Sequence, residues 1–303
     1  MGRRRIAEQP ISRLAVWSRR LALFSLAATF VAIIIVRSGA LDIVPALSTL
    51  AGALVLAVVA ILLAFGAIIV IWREGLDGLR HAIAAALVGL ALIAYPAYLG
   101  MKAYRLPAIY DVTTDPIDPP QFDAIARLRP RDANPIAYQG LYAAEQQHAA
   151  YPDIEPEDTT ATPRQAFDVA MKVVTRRRWR IVDARPPAAG GGSRSFETGP
   201  PQDPSALDGI IEAVVRTPIL GFPEDVVVRV RATRDGARID VRSASRYGRN
   251  DIGSNAQRVQ DLISDIDEIL TSPQPQRAPE RMPEKKPPPR SDQTPARGRS
   301  ARR

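Results

Sequence analysis

The sequence predicts an α+β fold, an antiparallel sheet with helices on one face, preceded by three transmembrane α-helices. Three observations predict it. Residues 1–101 hold three long apolar runs. Residues 209–245 hold period-two runs rich in valine and isoleucine, with an Asp235-Gly236 hairpin signal between two of them. Two stretches with helical spacing flank these strands, each with one apolar stripe to bury, and a two-layer arrangement buries both against one sheet.

The first apolar run, Leu21–Val36, follows Arg13, Arg19 and Arg20. Counting back through Leu14 and Trp17, with the arginines snorkelling, a span over about 14–36 is expected. No small-x-small cleavage pattern follows it and a second apolar run does, so it reads as a retained span rather than a signal peptide. Ile43–Ile71 is free of charge and longer than a ~30 Å hydrocarbon core requires. Trp72 and Arg73 suit its interfacial end. A third span over 79–101 closes on Tyr95, Tyr98, Lys102, Tyr104 and Arg105, an aromatic and basic belt. Gly52, Ala57, Gly66 and Ala67 are the small residues expected to let the helices approach. The spans hold no Asp, Glu or Lys suited to ion passage, which favours an anchor over a channel or transporter.

An odd number of spans puts the two ends on opposite sides. Arg3, Arg4 and Arg5 make residues 1–13 a basic, cytoplasmic N-terminus by the positive-inside rule. The expectation is a multi-pass protein of the cell inner membrane whose domain over 105–270 is extracytoplasmic, in the periplasm of a Gram-negative cell. The stretch over 271–303, rich in proline and arginine without apolar periodicity, is expected to be a disordered tail.

Within the domain, the proline-rich connector Leu106–Pro116 reads as an extended segment leaving the bilayer. A helix is expected over Ile136–Ala149, capped by Asn134, and another over Pro163–Trp179, capped by Thr162. Strands are expected over Trp179–Ala184, Ser195–Thr198, Gly209–Thr217, Glu224–Thr233 and Arg238–Ser245. A closing helix runs over Ser254–Leu270, with Val259, Leu262, Ile263, Ile266 and Leu270 on its buried face.

Composition removes several classes of chemistry. The chain has no cysteine, hence no disulfide, thiolate nucleophile or Cys-ligated zinc. Its two histidines, His81 and His148, lie far apart in sequence and suggest no metal site. The formal charge of +8 is concentrated at the termini, so it does not mark a nucleic-acid cleft. No cofactor is expected.

The polar chemistry gathers between Val241 and Arg258, at the passage from the last strand to the last helix. Arg242 and Arg246 fall on one side of the strand, and Val241, Ser243 and Ser245 on the other. If valines mark the core, the serines point inward and the arginines outward or toward the helix edge. Gly248 and Gly253 permit the tight passage. Asp251 can accept backbone amides there, and Ser254 or Asn255 can cap the helix.

Phe222-Pro223-Glu224-Asp225-Val226, Val241-Arg242-Ser243-Ala244-Ser245-Arg246 and Asp251-Ile252-Gly253-Ser254-Asn255-Ala256-Gln257-Arg258 together resemble the bacterial and plastid family DUF1499, a domain of unknown function. The resemblance covers roughly 108–270. The family often has two aspartates where this chain has Glu224-Asp225, which keeps the charge and changes the reach of the first carboxylate. The resemblance implies no activity.

Three readings of Asp225, Arg242, Ser243, Ser245, Arg246, Asp251, Asn255 and Arg258 follow. In the first they form a structural lock, with Arg242 or Arg246 paired to Asp225 or Asp251. In the second the arginines, hydroxyls and helix start receive an anion, such as a lipid headgroup or a cell-wall polymer. In the third Ser243 or Ser245 is the nucleophile of a hydrolase acting on an anionic lipid or cell-wall component, without a nearby histidine or a G-x-S-x-G motif. Carboxylate-saturated arginines would favour the lock, and unpaired arginines around a cleft the anion site. The expectation is a non-catalytic binding or structural module whose partner is the lipid bilayer.

Overall fold

The computed structural model describes residues 9–188 and 207–272. The expected strand over Ser195–Thr198, the arginines 3–5 and all but the first two residues of the tail expected over 271–303 lie outside them; Thr271 ends the last helix. Three helices come first: α1 (Arg13–Ser38), α2 (Ile43–Glu74) and α3 (Leu79–Arg105). All three are long and apolar enough to cross a membrane. Gly39 and Gly75, both with left-handed φ, end α1 and α2.

The three helices pack through alanine rather than through the glycines expected to matter. Ala57, Ala60, Ala64 and Ala67 of α2 are fully buried, against Ala15, Ala22, Ala82 and Ala85 of its neighbours. Gly52 and Gly66 have open space where a Cβ would sit, so the expectation placed on them fails. The close approach is at Gly89, where a Cβ would come 2.5 Å from a side-chain carbon of Ile61.

The domain that follows is an antiparallel sheet of six strands: β1 (Asp111–Thr113), β2 (Glu157–Thr159), β3 (Arg180–Arg185), β4 (Gly209–Arg216), β5 (Pro223–Ala232) and β6 (Ala237–Ser245). The order is β1-β6-β5-β4-β3, and β2 also pairs with β6. Asp235-Gly236 turns β5 into β6, and Gly236 takes a φ of +157°. Strand β1 lies inside the segment expected to be only a connector, with Asp111, Val112 and Thr113 opposite Ala244, Ser243 and Arg242.

Helices α4 (Leu141–Ala150), α5 (Pro163–Arg176) and α6 (Ser254–Thr271) supply one layer. Phe167, Val173, Val259, Leu262 and Ile266 meet Val226, Val228 and Val241 of the sheet in one buried cluster. Thr162 and Gln165 close a capping box at the start of α5, as the Thr-Pro start implies. Helix α4 starts later than expected. Asn134 does not cap it; its side chain donates instead to the carbonyls of Ser245 and Gly248, pinning the loop after β6.

The other sheet face is not solvent. Residues 114–136, including the 3-10 turn Ile125–Leu128, lie over it, and Phe122 and Ile125 pack on Val214, Val227 and Ala244. Glu212, fully buried, accepts the backbone N–H groups of Asp123, Ala124 and Ile125 and so caps that turn.

Candidate functional site

Strand alternation separates the polar residues of β5 and β6 onto two faces. Toward α6 stand Glu224, Ser243 and Ser245. Ser243 Oγ donates to Asn255 Oδ1 at 2.8 Å and accepts from Arg258 Nη1 at 2.9 Å. Ser245 Oγ and Ser254 Oγ both donate to Glu224 Oε1, each at 2.9 Å, and Arg258 pairs with the other oxygen of Glu224. Asn255, fully buried, donates to the Tyr110 carbonyl and to Ser245 Oγ.

Asp251 pairs with no arginine among the described residues, contrary to one expectation. Its carboxylate accepts the backbone N–H of Gly253 at 3.0 Å and of Asn255 at 2.7 Å, and thereby caps α6. Ser254 and Asn255 do not cap that helix through their side chains. Burial pushes the Asp251 carboxyl above its ordinary range, against the pull of those two N–H groups. Gly248 and Gly253 take left-handed φ values of +88° and +76°, as the tight passage requires. Ile252 does the same at +56°, a costly conformation for a β-branched residue.

Toward the second face stand Asp225, Arg242 and Arg246. The arginines were expected to point outward or toward the helix edge; they are buried beneath the 114–136 segment instead. Arg246 binds Asp225 through Nε at 2.9 Å and Nη2 at 2.7 Å. Arg242 binds neither Asp225 nor Asp251. Its partner is Asp111 of β1, at 3.0 and 2.7 Å, and it also donates to the carbonyls of Pro120 and Ile136. Its guanidinium lies 4.8 Å from the Phe122 ring centre. Thus Asp225, Arg242, Ser243, Ser245, Arg246, Asp251, Asn255 and Arg258 do gather at one corner, but as two networks on opposite sheet faces. Sequence reasoning missed Asp111 and Arg129, whose positions carry no periodic or motif signal.

Beside the helix-side network lies a cavity of about 440 Å³, in the size range of small-molecule sites. It opens where the sheet domain meets the spans. Tyr95, Tyr98 and Lys102 of α3 and Ile43 and Leu47 of α2 line one side. Ile219, Phe222, Tyr247 and Ile252 line the other, with Glu224, Ser245 and Ser254 at the polar end. Its walls are held together across the junction. Arg37 of α1 donates to the Pro218 carbonyl at 2.7 Å and the Ile219 carbonyl at 3.2 Å. Asn250 donates to the Ala103 carbonyl of α3 at 3.1 Å. The Lys102 ammonium, on this wall, has no ion pair among the described residues.

Compared with known families, the chain matches DUF1499, described as a protein of unknown function, over residues 111–266. The match runs from β1 into α6 and covers half of the chain. No curated protein and no solved structure matches it.

Proposed function

Taking as premise that the chain belongs to DUF1499, a family whose description carries no function, we propose that it is a membrane-anchored, non-catalytic binding module of the cell envelope. Its ligand is an anionic membrane lipid, held in the cavity between the spans and the sheet. The observation that carries this reading is the cavity's make-up and place. It is a mostly apolar pocket lined by the α3 tyrosines, with one ammonium, Lys102, that has no ion pair among the described residues, beside a polar wall. Acyl chain fits Ile43, Leu47 and Ile219; an anionic head fits Lys102 and the Tyr247 hydroxyl.

The arginine corner supports the non-catalytic reading. The guanidiniums of Arg242, Arg246 and Arg258 are occupied by Asp111, Asp225 and Glu224. Arg258 fixes β5 to α6 beside the cavity, and Arg242 and Arg246 tie strands together on the far sheet face, so the anion falls to Lys102 rather than to them. The Arg-dense N-terminus and the three apolar helices support a multi-pass place in the inner membrane, N-terminus cytoplasmic and sheet domain periplasmic.

One observation favours the hydrolase alternative: Ser245 and Ser254 both bond to Glu224 on the cavity wall. The pairing of Glu224 with Arg258 opposes it, because both carboxylate oxygens are then engaged, Oε1 by the two hydroxyls and Oε2 by the guanidinium. Native mass spectrometry of the full-length protein, released from its own membranes, separates these. A single retained anionic lipid supports binding. A chain that carries none, or that returns the cleaved products of an added anionic lipid, contradicts it.

A further inference from the structure

On the sheet face away from the cavity, Arg129 has no adequate partner. Its side chain is only 5% exposed. Its Nε lies 2.9 Å from Asp225 Oδ2 but out of line for a hydrogen bond, and neither Nη1 nor Nη2 has a hydrogen-bond partner among the described residues. Asp225 is already held by Arg246 through three contacts of 2.7–3.1 Å. Arg242 uses Asp111 and two carbonyls.

Three guanidiniums, Arg129, Arg242 and Arg246, therefore meet two carboxylates, Asp111 and Asp225, leaving one positive charge in excess. Burial disfavours the charged form of Arg129, and the neighbouring Arg246 and Arg242 add to that, while Asp225 and Asp111 partly offset it. An arginine does not escape by losing its proton. Buried charge without a counter-charge is costly, and buried N–H donors without acceptors add to the cost.

We propose that the Nη groups of Arg129 hold a compact inorganic anion, which completes the charge balance of the second sheet face. A guanidinium edge offers parallel donors that suit a halide or an oxyanion such as phosphate. The site is independent of the lipid cavity, since Asp225 and Arg246 face away from Glu224 and Ser245 along the same two strands.

The test uses the full-length protein in neutral detergent micelles at constant ionic strength. Gluconate, a bulky organic anion, is replaced stepwise by chloride or by phosphate while Tm is read. The expected result is a saturable rise in Tm with at least one compact anion. A rise with chloride alone identifies a halide site, and one with phosphate alone an oxyanion site. The variant R129M should lose the rise and, in gluconate, match or exceed the wild type in Tm. R164M, at an exposed position, should keep the rise.

If R129M does not fold, the chloride NMR linewidth of the wild type still decides. Excess broadening that phosphate or bromide displaces supports the site. No excess broadening together with no phosphate-dependent rise in Tm would overturn the proposal. So would an undiminished anion-dependent rise in R129M.

Discussion

The Arg242 guanidinium grips the Asp111 carboxylate with two hydrogen bonds, Nε to Oδ1 at 3.0 Å and Nη2 to Oδ2 at 2.7 Å, and neither side chain reaches solvent. The bond ties β1, the first strand after the spans, to β6, which leads into the cavity wall. Losing either partner strands the other as a buried charge. D111N or R242M should therefore destabilise the protein by about 3–5 kcal/mol. The double variant D111L/R242M should cost less than the sum of the two singles. Denaturant melts of the four proteins form the cycle that checks this.

Tyr138 sits against the same pair with its hydroxyl buried and without a hydrogen-bond partner. Burial pushes its pKa up to about 12, with the Asp111 charge adding and Arg242 opposing. Removing an unsatisfied hydroxyl leaves nothing unpaired, so Y138F should be neutral or stabilising by up to about 1 kcal/mol at neutral pH. Because the folded pKa lies above the unfolded one, the wild type should lose stability as pH rises from 10 toward 12. Y138F should lack that share of the loss, read by denaturation at pH 8 and pH 11.

In acid the sign reverses. Burial acts to raise the Asp115 carboxyl, but the N–H groups of Asp118 and Ile117 and the guanidiniums of Arg238 and Arg231 hold it below its ordinary range. Asp265 is likewise pulled down, by Arg177 and Arg176 against burial. A carboxyl depressed in the folded state contributes stability above its unfolded pKa and loses it as pH falls through the folded value. The double variant D115N/D265N should be less stable than the wild type at pH 6. The difference should shrink steadily below the ordinary value of 3.8.

The absence of cysteine makes the orientation easy to read, because any introduced thiol is unique. A cysteine in place of Arg234, in the β5–β6 turn, should react with a membrane-impermeant maleimide once the outer membrane is opened. One in place of Gly2 should react only after the inner membrane is breached. The opposite pattern would invert the proposed topology.

How much of this the sequence disclosed follows from the range of each interaction. Valines 226, 228 and 230 alternate, and Val259, Leu262 and Ile266 recur at helical spacing, because local geometry fixes them; strands, hairpin and closing helix were therefore legible. The contacts among Glu224, Ser243, Ser245, Asn255 and Arg258 join residues close in the chain, and the corner was visible as a cluster. Asp111 and Arg129 were not. Each lies in a stretch rich in proline and charge that reads as loop, and the oppositely charged side chain nearest to each, Arg242 or Asp225, comes about a hundred residues later in the chain. The burial of the second face stayed hidden for the same reason: a covering segment without regular structure leaves no period to read. The cavity arises only when helix ends and strand ends are brought to one level, which no local pattern encodes.

Lipid occupancy of that cavity is tested most directly by photo-crosslinking in native membranes. With a photoreactive amino acid in place of Ile219, on the cavity wall, irradiation should attach one lipid to the chain, and the adduct should carry an anionic head. K102M in the same background should shift the adducts toward neutral lipids. A crosslink only to protein, or an equal mixture of lipids unaffected by K102M, would contradict it.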